Sequence, residues 1–149
     1  MKQNNREDFN VIPYLILMGI MILLVSSVRI VYTEGASMEP TFKTGNALLV
    51  VRDDSVEPGD IILVKHLDKW IIKRVYAVAG ETVPMPFNDL PYWEDDAAPV
   101  IPKGYIFLVG DNRINSFDSR NPAFGLVPTY AVWGKVVLYF DGHSLLRPT

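Results

Sequence analysis

Apolar positions along the chain follow two different patterns. From Val11 to Val28, VIPYLILMGIMILLVSSV, eighteen consecutive residues carry no charge. Beyond Tyr32 the apolar residues come in short runs instead: NALLVVR, DIILVKH, WIIKRVYAV, YIFLVG and AVWGKVVLYF. The first pattern predicts an apolar helix. The second predicts strands, because β-branched and aromatic residues bounded by turn formers suit a pleated, half-buried surface. Between the runs lie DDSVEPGD, PMPFNDLPYWEDDAAPVIPKG and DNRINSFDSRNPAFGLVP, all rich in residues that break regular structure. Within the second of these, PYWEDDAAP is acidic and proline-bounded and reads as a solvated surface loop. With no helical periodicity after the first run, the expected fold is mainly β: a single N-terminal transmembrane helix followed by an antiparallel β-sandwich or partly open barrel.

The apolar run is just long enough to cross a bilayer core. Pro13 in its first turn and Gly19 in its middle are tolerated because a lipid-buried backbone has few alternatives to helix. A cleavable signal peptide with Lys2 and Arg6 as its basic region is the competing reading. The length of the run and the lack of a clear Ala-x-Ala site after it count against that. The expected organisation is therefore a short tail over 1–10, a retained anchor over 11–31 and a β-rich catalytic domain over 32–149. Lys2 and Arg6 before the run nearly balance Arg29 and Lys43 after it, so charge does not fix the orientation.

At 149 residues, 49% hydrophobic and 21% charged, the chain accommodates one compact domain besides that run. A net charge of −3 and a pI near 5.3, with scattered cations, exclude an electrostatic footprint for nucleic acid. The absence of cysteine excludes thiol nucleophiles, thiolate zinc sites and disulfides. His66 and His143 stand far apart, outside any metal-ligand pattern, and each reads as an ordinary surface or core group. No metal or organic cofactor is implied.

The run WIIKRVYAV carries the one anomaly. Strand alternation puts Ile71, Lys73, Val75 and Ala77 on one face and Trp70, Ile72, Arg74, Tyr76 and Val78 on the other. Each face is apolar except for a single cation, so Lys73, Arg74 or both sit in apolar company. That is costly unless the charge is paired or lost. Arginine keeps its proton and needs a carboxylate partner, whereas a desolvated lysine can go neutral and act as a general base. The alternative is that Lys73 runs its amine out to water past its own stem.

A base of that kind needs a nucleophile. The stretch GASMEPTF, residues 35–42, sets Ser37 between small residues a short distance behind the apolar run. A Ser–Lys pair activates a hydroxyl without histidine or a carboxylate. Alone, a serine ahead of a turn proline is ordinary turn chemistry.

Taken together, GASMEPTF, GDIILVK, IIKRVYAVAGE and VGDNRINSFDSRNPAFGLVP, in that order behind one N-terminal anchor, resemble the type I signal peptidases, particularly the small Gram-positive type. The resemblance runs from the anchor to about Val137. It implies a Ser–Lys dyad endopeptidase with Ser37 as nucleophile and Lys73 as general base. It also implies that Ser116 hydrogen-bonds and positions the lysine, that Asp118 and Arg120 form a structural ion pair, and that Gly110, Asp111 and Asn112 form a supporting loop. Met38 matches the methionine beside the nucleophile and Arg74 the arginine after the base. The implied substrates are secreted preproteins cut after a small-x-small tripeptide, typically Ala-x-Ala. The implied location is the cell membrane, single-pass, with the N-terminus cytoplasmic, the catalytic domain extracellular and an apolar surface against the lipid bilayer.

Several positions depart from the family pattern. Ala79-Gly80-Glu81 replaces Pro-Gly-Asp, Asn46 stands where aspartate is common, and Gly35 occupies the position where some members carry a second oxyanion donor. The dyad is intact, while a specialised peptidase serving one secretion or pilus system fits as well. A catalytically silent, membrane-anchored binding domain is a different class, disfavoured by retention of both Ser37 and Lys73. A self-cleaving repressor would need a DNA-binding region where the anchor stands. An ER-type enzyme would carry histidine in place of Lys73.

Overall fold

The computed structural model describes residues 10–83 and 100–148; the PYWEDDAAP segment lies outside them. The helix α1 (Ile12–Ser26) starts where the Asn10 carboxamide oxygen accepts the Ile12 N–H at 3.1 Å. Pro13 sits in its first turn, where a missing N–H costs nothing. Its end is chemical too. The Ser26 and Ser27 hydroxyls donate to the Leu23 carbonyl at 2.8 and 2.9 Å, and a run of β-branched residues then takes the chain into strand β1 (Val28–Tyr32).

The helix is accordingly shorter than the expected anchor over 11–31, whose last residues are strand. Its 15 residues span about 22 Å at 1.5 Å per residue, against roughly 30 Å of bilayer hydrocarbon. Among the described residues no helix is long and apolar enough to cross a membrane. None of the α1 residues is buried.

All five predicted strand runs are strands: β2 (Ala47–Val51), β3 (Ile61–His66), β4 (Lys69–Val78), β5 (Tyr105–Val109) and β7 (Val132–Phe140). Two-residue strands β6 (Val127–Pro128) and β8 (Leu145–Leu146) complete the set. Every pairing is antiparallel, in the order β1-β2-β7-β3-β4-β5-β6, with β8 on β7. The expected mainly β, antiparallel fold with one helix therefore holds, as one continuous sheet. Register shifts at Leu49/Val50, Leu63/Val64 and Val75/Ala77 bend it.

Strand β3 runs through the middle and is buried on both faces. Ile61 and Leu63 join Phe42, Leu48, Val50 and Val136, whereas Ile62 and Val64 join Val75, Ile106, Leu108 and Val127. Period-2 alternation feeds two apolar clusters from one strand, each such side chain being worth about 1.5–3 kcal/mol when fully buried. The sheet is tightest at Gly134 on β7. A Cβ there would lie 2.1 Å from the Val51 carbonyl oxygen. Gly134→Ala is expected to destabilise the domain by about 1–3 kcal/mol through forced backbone displacement, read as a lowered thermal midpoint.

Candidate active site

Strand β4 lies between β3 and β5, with Lys73 opposite Ile62. Lys73 is only 5% exposed. The amine does not reach solvent along its stem; Nζ lies 2.7 Å from Ser37 Oγ. Burial holds the Lys73 amine below the ordinary lysine range, outweighing the upward pull of Asp118 and Asp111, while Arg120 pushes the same way as burial.

The Ser37 segment is fixed from several sides. Met38 and Phe42, both buried, plug the turn into the β3 cluster, and the Phe42 N–H donates to the Met38 carbonyl at 2.9 Å. The Asn112 N–H donates to the Ser37 carbonyl at 3.0 Å. Gly110 makes this approach sterically feasible: a Cβ there would stand 2.2 Å from Ser116 Oγ and 2.4 Å from the Ser37 carbonyl oxygen.

Asp111 joins the turn that carries Ser37 to the strand that carries Lys73. It accepts the Thr41 hydroxyl at 2.6 Å and takes Arg74 as a fork, Nε to Oδ1 and Nη2 to Oδ2, both at 2.8 Å. Arg74 Nη1 also donates to the Gly59 carbonyl at 2.9 Å. The carboxylate that the strand pattern required for Arg74 is thus Asp111. Thr41 escaped the sequence reading, although it stands within GASMEPTF.

Behind the dyad, Arg120 donates to Asp118 through Nε at 2.8 Å and Nη2 at 2.9 Å, and the Gly110 N–H donates to Asp118 Oδ2 at 2.9 Å. For both Asp111 and Asp118 burial alone would raise the carboxyl pKa. Hydrogen bonds from Arg74 and Thr41 to the first, and from Arg120, Gly110 and Ser116 to the second, prevail and hold each below the ordinary range. The expected hydrogen bond from Ser116 to Lys73 is not formed. Ser116 Oγ is buried, packed against Gly110 and close enough to Asp118 to help hold that carboxyl down, while the amine turns to Ser37.

Two clefts flank the dyad. One, of about 330 Å³, has an apolar wall of Val31, Met38, Phe42, Leu63 and Ile72 facing a polar one of Thr33, Glu34 and the dyad itself. The other, of about 420 Å³, adds His66, Lys69, Phe117 and Phe124. His66 is held there by Nε2 at 2.8 Å from the Phe124 carbonyl oxygen and by ring contact with Phe124, away from both dyad members. Of the departures, Asn46 needs only acceptors. Its Oδ1 takes the Lys43 N–H at 2.9 Å and its carbonyl takes the Thr33 N–H at 3.0 Å, work that an aspartate side chain would do equally.

A depressed carboxyl pKa stabilises the fold above the unfolded-state value near 4 and loses that contribution as pH falls through the folded-state value. Asp118→Asn is accordingly expected to cost about 3 kcal/mol at pH 7 by leaving Arg120 without its carboxylate, and much less near pH 2. Denaturant titrations of both proteins at the two pH values check this.

A family model described as "Signal peptidase, peptidase S26" matches residues 8–90 and 84–140. Signal peptidase I V of Bacillus subtilis (strain 168) is 36% identical over 121 residues, covering 59% of this chain and 72% of that protein. Mitochondrial ATP-independent inner membrane protease subunit 1b of Arabidopsis thaliana is 36% identical over 129 residues, covering 79% and 75%. Signal peptidase I of Bacillus amyloliquefaciens is 32% identical over 143 residues, covering 75% and 74%.

Proposed function

Given that the chain belongs to the signal peptidase family, peptidase S26, we propose that Ser37 is its nucleophile and Lys73 its general base. The activity is that of a serine endopeptidase removing signal peptides. The observation that carries the assignment of roles is the 2.7 Å separation of Lys73 Nζ from Ser37 Oγ at a buried position. A hydroxyl becomes nucleophilic when a base within hydrogen-bond reach takes its proton. Burial keeps the amine ready to do so.

Neutral Lys73 accepts the Ser37 proton as Oγ attacks the scissile carbonyl. The Ser37 N–H, unused by other hydrogen bonds among the described residues, donates to the developing oxyanion. The lysine ammonium then gives its proton to the leaving amine. Water, activated by the same amine, hydrolyses the acyl-enzyme and frees Ser37. Asn112 and Gly110 position the nucleophile's backbone, and Asp111 with Arg74 ties that backbone to the base's strand. Asp118 and Arg120 hold Gly110 in place, Met38 seats the turn, and Ser116 offers an oxygen beside the dyad once the amine becomes an ammonium.

The substrates are preproteins with small-x-small sites, whose small side chains enter the cleft beside Met38 and Ile72. The chain is held at the cell membrane through its apolar N-terminal segment, with the catalytic domain over 32–149 on the outer side. Supporting this, α1 is apolar and unburied, and Val28, Ile30 and Tyr32 extend the exposed apolar surface beyond its end. The exposed apolar edge of β1 adds to the surface that α1 offers the lipid.

Ser37→Ala and Lys73→Ala are each expected to lower cleavage of an Ala-x-Ala preprotein at least about 10³-fold without loss of fold. Lys73→Arg fails as well, since a guanidinium does not give up its proton. Turnover by detergent-solubilised protein, with the product's N-terminus sequenced, checks all three; substantial cleavage by Lys73→Arg overturns the general-base role.

Wild-type cleavage is expected to rise with pH as the Lys73 amine loses its proton, and to do so below the ordinary lysine range because burial lowers that pKa. The pH profile of kcat/KM reads this limb directly.

A further inference from the structure

A third cavity, of about 360 Å³, is walled by Arg52, Lys65, Trp70, Tyr130 and Trp133; it shares Trp70 with the cleft beside Ser37, but neither dyad residue lines it. We propose that it binds the headgroup of an anionic phospholipid. This rests on the reading that α1 lies in a bilayer.

The cavity's position is the first argument. The Arg52 N–H donates to the carbonyl of Ser27 at 2.8 Å, which places the start of the cavity wall directly against the end of α1. Arg29, one residue into β1, lies 5.1 Å from the Trp70 ring centroid and 4.3 Å from that of Trp133. Two indoles of the cavity are thereby fastened to the strand that emerges from the helix. If α1 is in lipid, the cavity is at headgroup depth.

Its chemistry is the second. Arg52 and Lys65 line the cavity, Arg29 lies over two of its indoles, and no carboxylate lines it. Asp68 pairs with Lys65 at 3.7 Å but is 99% exposed, where such a pair holds its partner weakly. Trp70 and Tyr130 are exposed aromatic rings of the kind that settle at a membrane–water interface. An arginine fork and an ammonium suit a phosphate diester. Aromatic walls alone would also suit a quaternary ammonium, but three cations repel it. A phosphate with an uncharged polar end is what the site selects.

The test uses the full chain in detergent, titrated separately with short-chain phosphatidylglycerol, short-chain phosphatidylcholine and inorganic phosphate, and read by tryptophan fluorescence. Saturable change is expected with phosphatidylglycerol at concentrations where the other two do nothing. At about 1 kcal/mol for each cation facing an anionic surface, the double substitution Arg52→Gln, Lys65→Gln should weaken that binding about thirtyfold. Arg52→Lys with Lys65→Arg should largely restore it, and circular dichroism establishes that each variant is folded. An equal response to both lipids overturns the proposal, as does unchanged phosphatidylglycerol binding by the Gln variant. A matching response to inorganic phosphate overturns it in favour of a soluble-anion site. Cleavage assayed in parallel separates the two readings. A wild type that cleaves without lipid preference sinks only the headgroup site, whereas lipid preference without cleavage sinks only the peptidase reading.

Discussion

An ammonium ion withdrawn from water into apolar surroundings costs several kcal/mol, and the whole site is arranged around a lysine amine kept in that position. Lys73 is 5% exposed on an interior strand, β4, held between β3 and β5. It meets Ser37 because two buried side chains, Met38 and Phe42, seat the turn that carries the serine. The 110–112 loop packs against the same turn, and that approach depends on Gly110 having no side chain. On the proposed reading, loosening any of these would rehydrate the amine and favour its protonated form.

Charge around the amine is managed by pairing. Asp111 and Asp118 would each draw Lys73 toward its protonated form, and two unpaired carboxylates at this depth would oppose the effect of burial. Each is instead held by an arginine fork, Asp111 by Arg74 and Asp118 by Arg120. The paired ions present dipoles rather than net charges to the amine, so desolvation remains the largest influence on it. The same forks do mechanical work. Asp111 binds Thr41 as well as Arg74, so the nucleophile's turn and the base's strand are held to one carboxylate.

Much of this was legible in the sequence, for a specific reason. Strict alternation in WIIKRVYAV allowed each cation of the Lys73-Arg74 pair to be weighed against its own face, and that reasoning required a carboxylate for Arg74. It had no means of naming Asp111, 37 residues away, because only the pairing of β4 with β5 brings the 110–112 loop alongside. The five strand runs were visible because each has enough β-branched and aromatic residues to stand out from its turns. Strands β6 and β8 have two residues each, too few for any period to register. Strand β1 was absorbed into the apolar run, since Val28, Ile30 and Val31 suit a lipid-facing helix and a strand equally well. What divides them is the serine pair at 26 and 27, whose hydroxyls turn back on Leu23. That the Lys73 amine turns to Ser37 rather than to Ser116 was beyond sequence altogether, because it depends on which of two neighbouring hydroxyls lies nearer in the fold.

The early end of α1 has a consequence for how the enzyme meets its substrate. Because the chain becomes strand at Val28, it is tied into the sheet at once: β1 pairs along its length with β2, and Arg29 is held over Trp70 and Trp133. A flexible linker would let the domain wander from the bilayer. This junction instead sets the catalytic domain at a fixed distance from the helix, and Val31 and Tyr32 at the end of β1 already border the cleft beside Ser37. Nine residues from Val28 to Ser37 reach at most about 30 Å when extended, and the turn at Ser37 uses much less. On the proposed reading, with α1 in a bilayer, a signal peptide lodged there would present its cleavage site over that short range, and the stop of the helix at the two serine hydroxyls would set the depth at which Ser37 works.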